Sequence, residues 1–151
     1  MKAVVYHGPG DLRIENVNDP VLNEGDALLK VLYSGLCGTD VKTYRRGHHM
    51  FTPPCILGHE VVGRIEAIEG RLARPDIAVG DLVAVAPYVP CYSCAHCRND
   101  REELCTNKDG IEGAFAEWIK IPAGVVSKGT FHVPSTEGLK LACLSEPLAC
   151  C

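Results

Sequence analysis

Four closely spaced cysteines constrain this chain more than any other feature. Cys91, Cys94, Cys97 and Cys105 follow a C-x2-C-x2-C-x7-C pattern. Four thiolates this close in sequence can converge on one metal ion, about 2.3 Å from each sulfur, and complete a tetrahedral zinc site. Because sulfur would then occupy every position, such a site is structural, and any catalytic site must lie elsewhere in the chain.

Two other interpretations of these cysteines remain open. The spacing C-x2-C-x2-C also begins ferredoxin-type iron–sulfur sequences, although those continue with x3-C-P, whereas here the fourth cysteine comes after seven residues and Thr106 follows it. Disulfide-paired or simply buried cysteines are the third interpretation. The odd total of nine cysteines and their tight clustering favour a metal over disulfides, and the spacing favours zinc over iron–sulfur.

The composition is that of an ordinary globular protein, with 46% hydrophobic and 23% charged residues. The net charge of −4 argues against nucleic acid or an anionic membrane as a partner. No apolar run approaches the roughly 20 residues that cross a bilayer, and Met1–His7 is too short and polar for a signal peptide. We therefore expect a cytoplasmic location.

Short segments rich in Val and Ile, bounded by Gly, Pro or Asp, predict a mainly β fold. The predicted strands are Lys2–Tyr6, Ala27–Tyr33, Glu60–Ile68, Asp81–Ala86 and Phe115–Ile121. Fifteen glycines and ten prolines favour a compact β-barrel or sandwich over a helical bundle. The cysteine cluster lies between two of the strands, so we expect a lobe that loops out of the barrel over about residues 87–110.

The sequence also predicts a few short helices. One begins near Thr39 and runs through Tyr44. A second follows Pro134, with Ser135 or Thr136 placed to cap it. Pro147 is expected to kink or interrupt this second helix, because proline cannot donate a backbone hydrogen bond.

Ligand-type residues also stand beside glycines in two other segments. Cys37 lies within G-L-C-G-T-D, and His59 and Glu60 follow Gly58. A Cys, a His and a carboxylate from distant segments would form a mixed zinc site with an exchangeable position. Glu146 is a further candidate anchor. The alternative is a small core cysteine and a satisfied buried imidazole, because buried cysteine is common.

The order of the motifs resembles a known family. G-x-C-G-T-D, G-H-E, V-G-D-x-V, C-x2-C-x2-C-x7-C and S-E-P-L-A occur in the order found in zinc-dependent medium-chain alcohol dehydrogenases, closest to the sorbitol, polyol and threonine dehydrogenase branch. The resemblance implies a GroES-like β-barrel catalytic domain over residues 1–151. Its last helix, about residues 136–151, would lead to a Rossmann domain that binds NAD or NADP. The dinucleotide fingerprint G-x-G-x-x-G does not occur in the sequence.

The resemblance implies two zinc ions per chain. Cys37 and His59 match the catalytic zinc ligands, Glu60 matches a conditional ligand, and Glu146 matches an acidic group at or near the same zinc. The structural zinc ligands are matched by Cys91, Cys94, Cys97 and Cys105.

Further residues match parts of the catalytic machinery. Asp40 matches a carboxylate that holds the His59 ring through its other nitrogen. Thr39 matches a hydroxyl that relays a proton from the alcohol, and it is also a candidate helix cap. Lys42 replaces a relay histidine found in some members. Lys42, His48 and His49 are interpreted as residues of a solvated loop. The alternative, which is less favoured, is that they line the substrate cleft.

The implied function is oxidation of a secondary alcohol, a polyol or a sugar by hydride transfer. The resemblance implies that this catalytic domain is inactive without its nucleotide-binding half, and it is compatible with a homo-oligomer in the full-length enzyme. The competing hypothesis is a zinc-stabilised interaction module without catalytic function. Such a module has no need for Cys37, His59 and Glu60 together, so these residues separate the two hypotheses.

Overall fold

The computed structural model describes all 151 residues and consists mainly of short antiparallel strands. The strands are β1 (Lys2–Gly8), β2 (Asp11–Asn16), β3 (Ala27–Ser34), β4 (Cys55–Ile56), β5 (Val61–Ile68), β6 (Leu82–Val85), β7 (Tyr88–Val89), β8 (Asp109–Gly110), β9 (Trp118–Ile121) and β10 (Thr130–His132). The helices are α1 (Gly38–Arg46), α2 (Ala123–Lys128), α3 (Leu139–Ala142) and α4 (Ser145–Ala149). None of these helices is long and apolar enough to cross a membrane.

Two larger sheets and one small sheet carry the architecture. Five strands pair in the order β10-β6-β5-β3-β9, and three pair in the order β2-β1-β4. The two sheets are joined by backbone hydrogen bonds from Val4 N to Phe115 O (2.8 Å) and from Glu117 N to Lys2 O (3.0 Å). Strands β7 and β8 pair with each other and form the neck of the cysteine lobe.

The main core lies against the five-stranded sheet. Leu29, Ile65, Val83 and Ile121, from four neighbouring strands, are fully buried. Val125 of α2 packs against them from the side of the lobe. Burying each such side chain stabilises the fold by about 1.5–3 kcal/mol, so this core holds in place the loops at the strand ends.

The mainly β prediction is confirmed, and all five predicted strands are present with shifted ends. Six elements were not predicted, namely the strands β2, β4, β7, β8 and β10 and helix α2. The edge strand β2 carries a polar sequence with Leu12 and Ile14 exposed, which lacks the apolar character of the other strands. Helix α2 has six residues and a glycine at its second position, both unfavourable to a helix prediction.

The helix from Thr39 is confirmed as α1, and the C-terminal helix is interrupted as expected, although its cap is not the predicted one. Two helices are present, and the break falls at Cys143–Leu144. Pro147 lies in the first turn of α4, where its missing N–H costs little. The N-cap of α3 is Gly138, although its N–H does donate to Ser135 Oγ (3.3 Å) within the preceding turn.

Candidate metal centres and the cleft beside them

The four clustered cysteines converge within the lobe. Their sulfurs are 3.9 Å apart for Cys91–Cys97, 3.5 Å for Cys94–Cys97, 3.5 Å for Cys91–Cys105 and 4.0 Å for Cys94–Cys105. A tetrahedral ion with bonds of about 2.3 Å requires sulfur–sulfur distances of about 3.8 Å. A disulfide would require about 2.05 Å, and all nine cysteines are free thiols. The cluster is therefore built to hold a metal, and the disulfide interpretation was wrong.

Backbone donors surround the cluster sulfurs. Ser93 N and Cys94 N both donate to Cys91 Sγ, at 3.4 and 3.3 Å, and Cys91 N donates to Cys105 Sγ at 3.3 Å. The hydrogen bonds that Cys91 accepts lower its pKa to about 5. The largest effect comes from the Ser93 side chain, followed by the N–H groups of Ser93 and Cys94. Desolvation instead raises the pKa of Cys97 to about 12. Because the metal ligand is the thiolate, the donors stabilise the charge state that a metal requires.

The second set of ligand-type residues begins at the start of α1. Cys37 is the N-cap of this helix, and its sulfur accepts from Thr39 N at 3.4 Å. The Asp40 carboxylate accepts in return from Cys37 N at 2.9 Å, which completes a capping box. The helix cap is therefore Cys37 itself rather than Thr39, and capping fixes the position of its sulfur.

Asp40 also reaches the second ligand segment. Its Oδ1 accepts from Gly58 N at 3.3 Å, so one buried carboxylate ties the backbone before His59 to the backbone of Cys37. The distance from His59 Nδ1 to Asp40 Oδ1 is 3.8 Å, longer than a hydrogen bond. In this structure Asp40 therefore holds the two segments together mainly through their backbones.

Glu60 is fixed from two sides through its backbone carbonyl. Gly35 N donates to this carbonyl at 2.8 Å, and the thiol of buried Cys143 donates to it at 3.3 Å. Gly35 also packs against the Glu60 side chain so closely that an added Cβ would lie 3.0 Å from Glu60 Cδ and closer still to Oε2. The hydrogen bond of Cys143 follows from tertiary packing that no sequence pattern indicates.

The ligand atoms of Cys37, His59 and Glu60 all lie within 4.8 Å of one another. Burial raises the pKa of the Glu60 carboxyl; His59 opposes this, and Glu146 and Asp40 add to it. A cation would relieve the repulsion among these acids, so the donors and their charges fit a metal. Glu146 lies near this group but is not among the three converging residues.

A cleft of about 490 Å³ opens beside this group, between the barrel loops and the lobe. Thr39, His59 and Glu146 line it, and the Thr39 hydroxyl is not used in any hydrogen bond of the chain. His48, in the half-exposed loop after α1, also lines the cleft. Lys108, which was not predicted as a site residue, reaches the same cleft from the lobe.

Comparison with known proteins assigns this arrangement to a class. Residues 23–134 match the model of the alcohol dehydrogenase GroES-like domain. Sorbitol dehydrogenase of Bacillus subtilis is 34% identical over 99% of the chain, and L-threonine 3-dehydrogenase of Solibacter usitatus is 38% identical over 81%. A putative zinc-binding dehydrogenase of Sinorhizobium meliloti, solved bound to NADP, is 35% identical over 99% of the chain with a TM-score of 0.83.

The fold and the two ligand groups thus define a GroES-like domain of the dehydrogenase type. The chain belongs to the medium-chain, zinc-type alcohol dehydrogenase family, on its sorbitol, polyol and threonine dehydrogenase side. It spans 43% of the Bacillus sorbitol dehydrogenase, 38% of the threonine dehydrogenase and 43% of the Sinorhizobium protein.

Proposed function

We propose that residues 1–151 are the catalytic domain of a zinc-dependent NAD(P) dehydrogenase that oxidises a secondary alcohol of the polyol or sugar type. The observation that carries this proposal is the convergence of Cys37, His59 and Glu60 from two loops beside a cleft. Conversion of a CH–OH group also requires a hydride acceptor, which the nucleotide-binding half of the full-length enzyme would hold as NAD or NADP.

The ligand residues have separate tasks in this proposal. A zinc ion bound by them would supply a Lewis acid that lowers the pKa of a substrate hydroxyl. Cys37 and His59 are the fixed ligands, because Asp40 holds the backbone of both segments in place. Glu60, with its raised pKa, is the conditional ligand, and Glu146 adds negative charge nearby.

Proton removal falls to the unpaired hydroxyl of Thr39. It lines the cleft, one turn of α1 away from Thr43, whose own hydroxyl is held by the Thr39 carbonyl at 2.7 Å. The Thr39 hydroxyl is therefore free to accept the substrate proton while it gives up its own proton to solvent. We assign the four-cysteine cluster to a structural zinc ion, as its sulfur–sulfur distances support.

Metal analysis of the purified 151-residue chain tests this function. We expect two zinc ions per chain, one from the Cys37→Ser variant, and two from the matched control Cys55→Ser, because Cys55 belongs to neither ligand group. One zinc ion in the unmodified chain, unchanged by Cys37→Ser, would instead favour an interaction module. Iron and a brown colour would identify an iron–sulfur cluster.

A further inference from the structure

Lys108 is an ammonium group held at the cleft wall by neutral partners alone. Its Nζ lies 4.4 Å from the centroid of the Tyr88 ring and donates to the backbone carbonyl of Glu103 at 3.0 Å. Both contacts fix the direction of the side chain without neutralising its charge. Tyr88 lines the same cleft, so the cation faces the space that a substrate would fill.

Lys108 carries no counter-charge, in contrast to Arg101 of the same lobe and to Arg74 on the barrel. Arg101 in the same lobe pairs with Glu103 at 2.6 Å, and Arg74 pairs with Asp76 at 2.6 Å. No carboxylate lies within 4.0 Å of the Lys108 ammonium group. Glu103 contacts it only through its backbone carbonyl. An ordered but unpaired cation in a cleft is a ready partner for an anionic ligand.

Charge is distributed unevenly along the cleft. The only carboxylate among its lining residues is Glu146, which is close enough to Glu60 to raise the pKa of that ligand. The acidic groups therefore lie at the end of the cleft beside Cys37 and His59. Lys108, which comes from the lobe, is the only lysine or arginine among the lining residues. At about 490 Å³, the cleft is large enough for a small polyol with a charged end group.

We propose that Lys108 binds an anionic group, a phosphate ester or a carboxylate, at the end of the substrate remote from the hydroxyl that is oxidised. The substrates would then be polyol phosphates or sugar acids rather than neutral polyols. This inference rests on the proposed dehydrogenase function and specifies the substrate class of that site. A charge-assisted hydrogen bond in a partly enclosed cleft should raise affinity about ten-fold over the neutral parent.

Calorimetric titration of the zinc-loaded chain tests this inference. The probes are ribitol, ribitol 5-phosphate, ribonate and inorganic phosphate. We expect ribitol 5-phosphate, ribonate or both to bind about ten-fold tighter than ribitol, and the difference between them identifies the anion. Lys108→Met should abolish that preference and Lys108→Arg should retain it. Lys128→Met is the matched control, because Lys128 also contacts a lobe tyrosine, Tyr92 at 4.9 Å, but lies outside the cleft.

Three outcomes would overturn the inference. They are equal affinities for ribitol and both anions, an anion preference that survives Lys108→Met, and inorganic phosphate that binds as tightly as the ester. In each case two zinc ions per chain, reduced to one by Cys37→Ser, would leave the dehydrogenase function standing. A single zinc ion that Cys37→Ser does not remove would mean that the proposed function itself had failed.

Discussion

At the scale of single residues, the carbonyl and the carboxylate of Glu60 face different partners. The carbonyl accepts from Gly35 N and the Cys143 thiol, while the carboxylate points toward Cys37 and His59. The peptide is thereby fixed before any metal arrives, and the buried side chain has little freedom left to lose on binding. Such preorganisation strengthens a metal site, since less ordering is required when the ligand enters the coordination shell.

Gly35→Ala tests this arrangement. The new methyl group would collide with the Glu60 carboxylate, so we expect zinc affinity at the Cys37 site to fall about ten-fold while the four-cysteine cluster is unaffected. Competition titration with a chromophoric chelator resolves the two sites. Gly38→Ala is the control, because a Cβ there meets nothing within 4 Å and alanine favours the helix by up to about 1 kcal/mol. Unchanged affinity in Gly35→Ala would show that Glu60 is free to move aside.

At the scale of elements, the lobe is held together differently from the sheets. Between residues 90 and 108 only Cys97 and Cys105 are buried, so the segment has no apolar core of its own. Its order depends on the cluster, on the β7–β8 neck and on a bond from Gly124 N of α2 to Asp109 Oδ2 at 3.1 Å. A segment of this kind gains most of its stability from the metal.

Removal of the metal should therefore unfold the lobe and spare the sheets. We expect backbone amides within residues 91–107 to lose their protection from hydrogen exchange after chelation, while those of β3 and β5 keep theirs. Exchange measured by mass spectrometry follows both regions at once. The chelated Cys94→Ser variant serves as the reference for a lobe without metal. Persisting protection of residues 91–107 without metal would contradict this view of the lobe.

The loop between β5 and β6 contains an ion pair and contacts β10 at Thr130 and His132. Arg74 donates twice to the Asp76 carboxylate, at 2.7 and 2.6 Å, and His132 lies 3.5 Å from Asp76 and 3.8 Å from Asp81. The Arg74 hydrogen bonds hold the pKa of Asp76 well below its usual range. Because the ionised form is favoured in the folded state, its stabilisation is present above about pH 4 and is lost as the pH falls further.

Asp76→Asn should lower the melting temperature near neutral pH, and the difference from the unmodified chain should shrink as the pH is lowered from about 4 toward 2. Thermal unfolding followed by circular dichroism measures it. Asp100→Asn is the matched control, since Asp100 makes no ion pair and asparagine tolerates its left-handed backbone, with φ of 54°. A difference that stays constant with pH would show that the ion pair contributes nothing to stability.

Sequence patterns predicted what depends on local spacing. The cluster and α1 were predictable because each is specified by residues a few positions apart, and β5 was predictable from its run of Val and Ile. Contacts between distant segments were not. The Cys143–Glu60 bond and the entry of Lys108 into the cleft arise only when α3 and the lobe pack against the barrel, and no spacing encodes that packing.

At the scale of the whole molecule, the two ligand groups lie on separate parts of the fold. One is confined to the lobe, and the other lies where two loops of the barrel meet. The cleft between lobe and barrel receives side chains from both, including His59 and Lys108. Metal loss from the lobe should therefore weaken binding of an anionic substrate by displacing Lys108, even where the Cys37 group keeps its metal. The expected cytoplasmic location and the homo-oligomer stay predictions.

The spacing of the two ligand groups also bears on the order in which they can assemble during synthesis. The cluster needs only the 15 residues from Cys91 to Cys105, and such a short loop closes at little entropic cost. The Cys37 group requires β3 and β5 to pair, and its Glu60 anchor is complete only when Cys143 has left the ribosome. The four-cysteine cluster, although it comes later in the sequence, can therefore bind its metal first. The lobe would then fold before the barrel around Cys37 is complete.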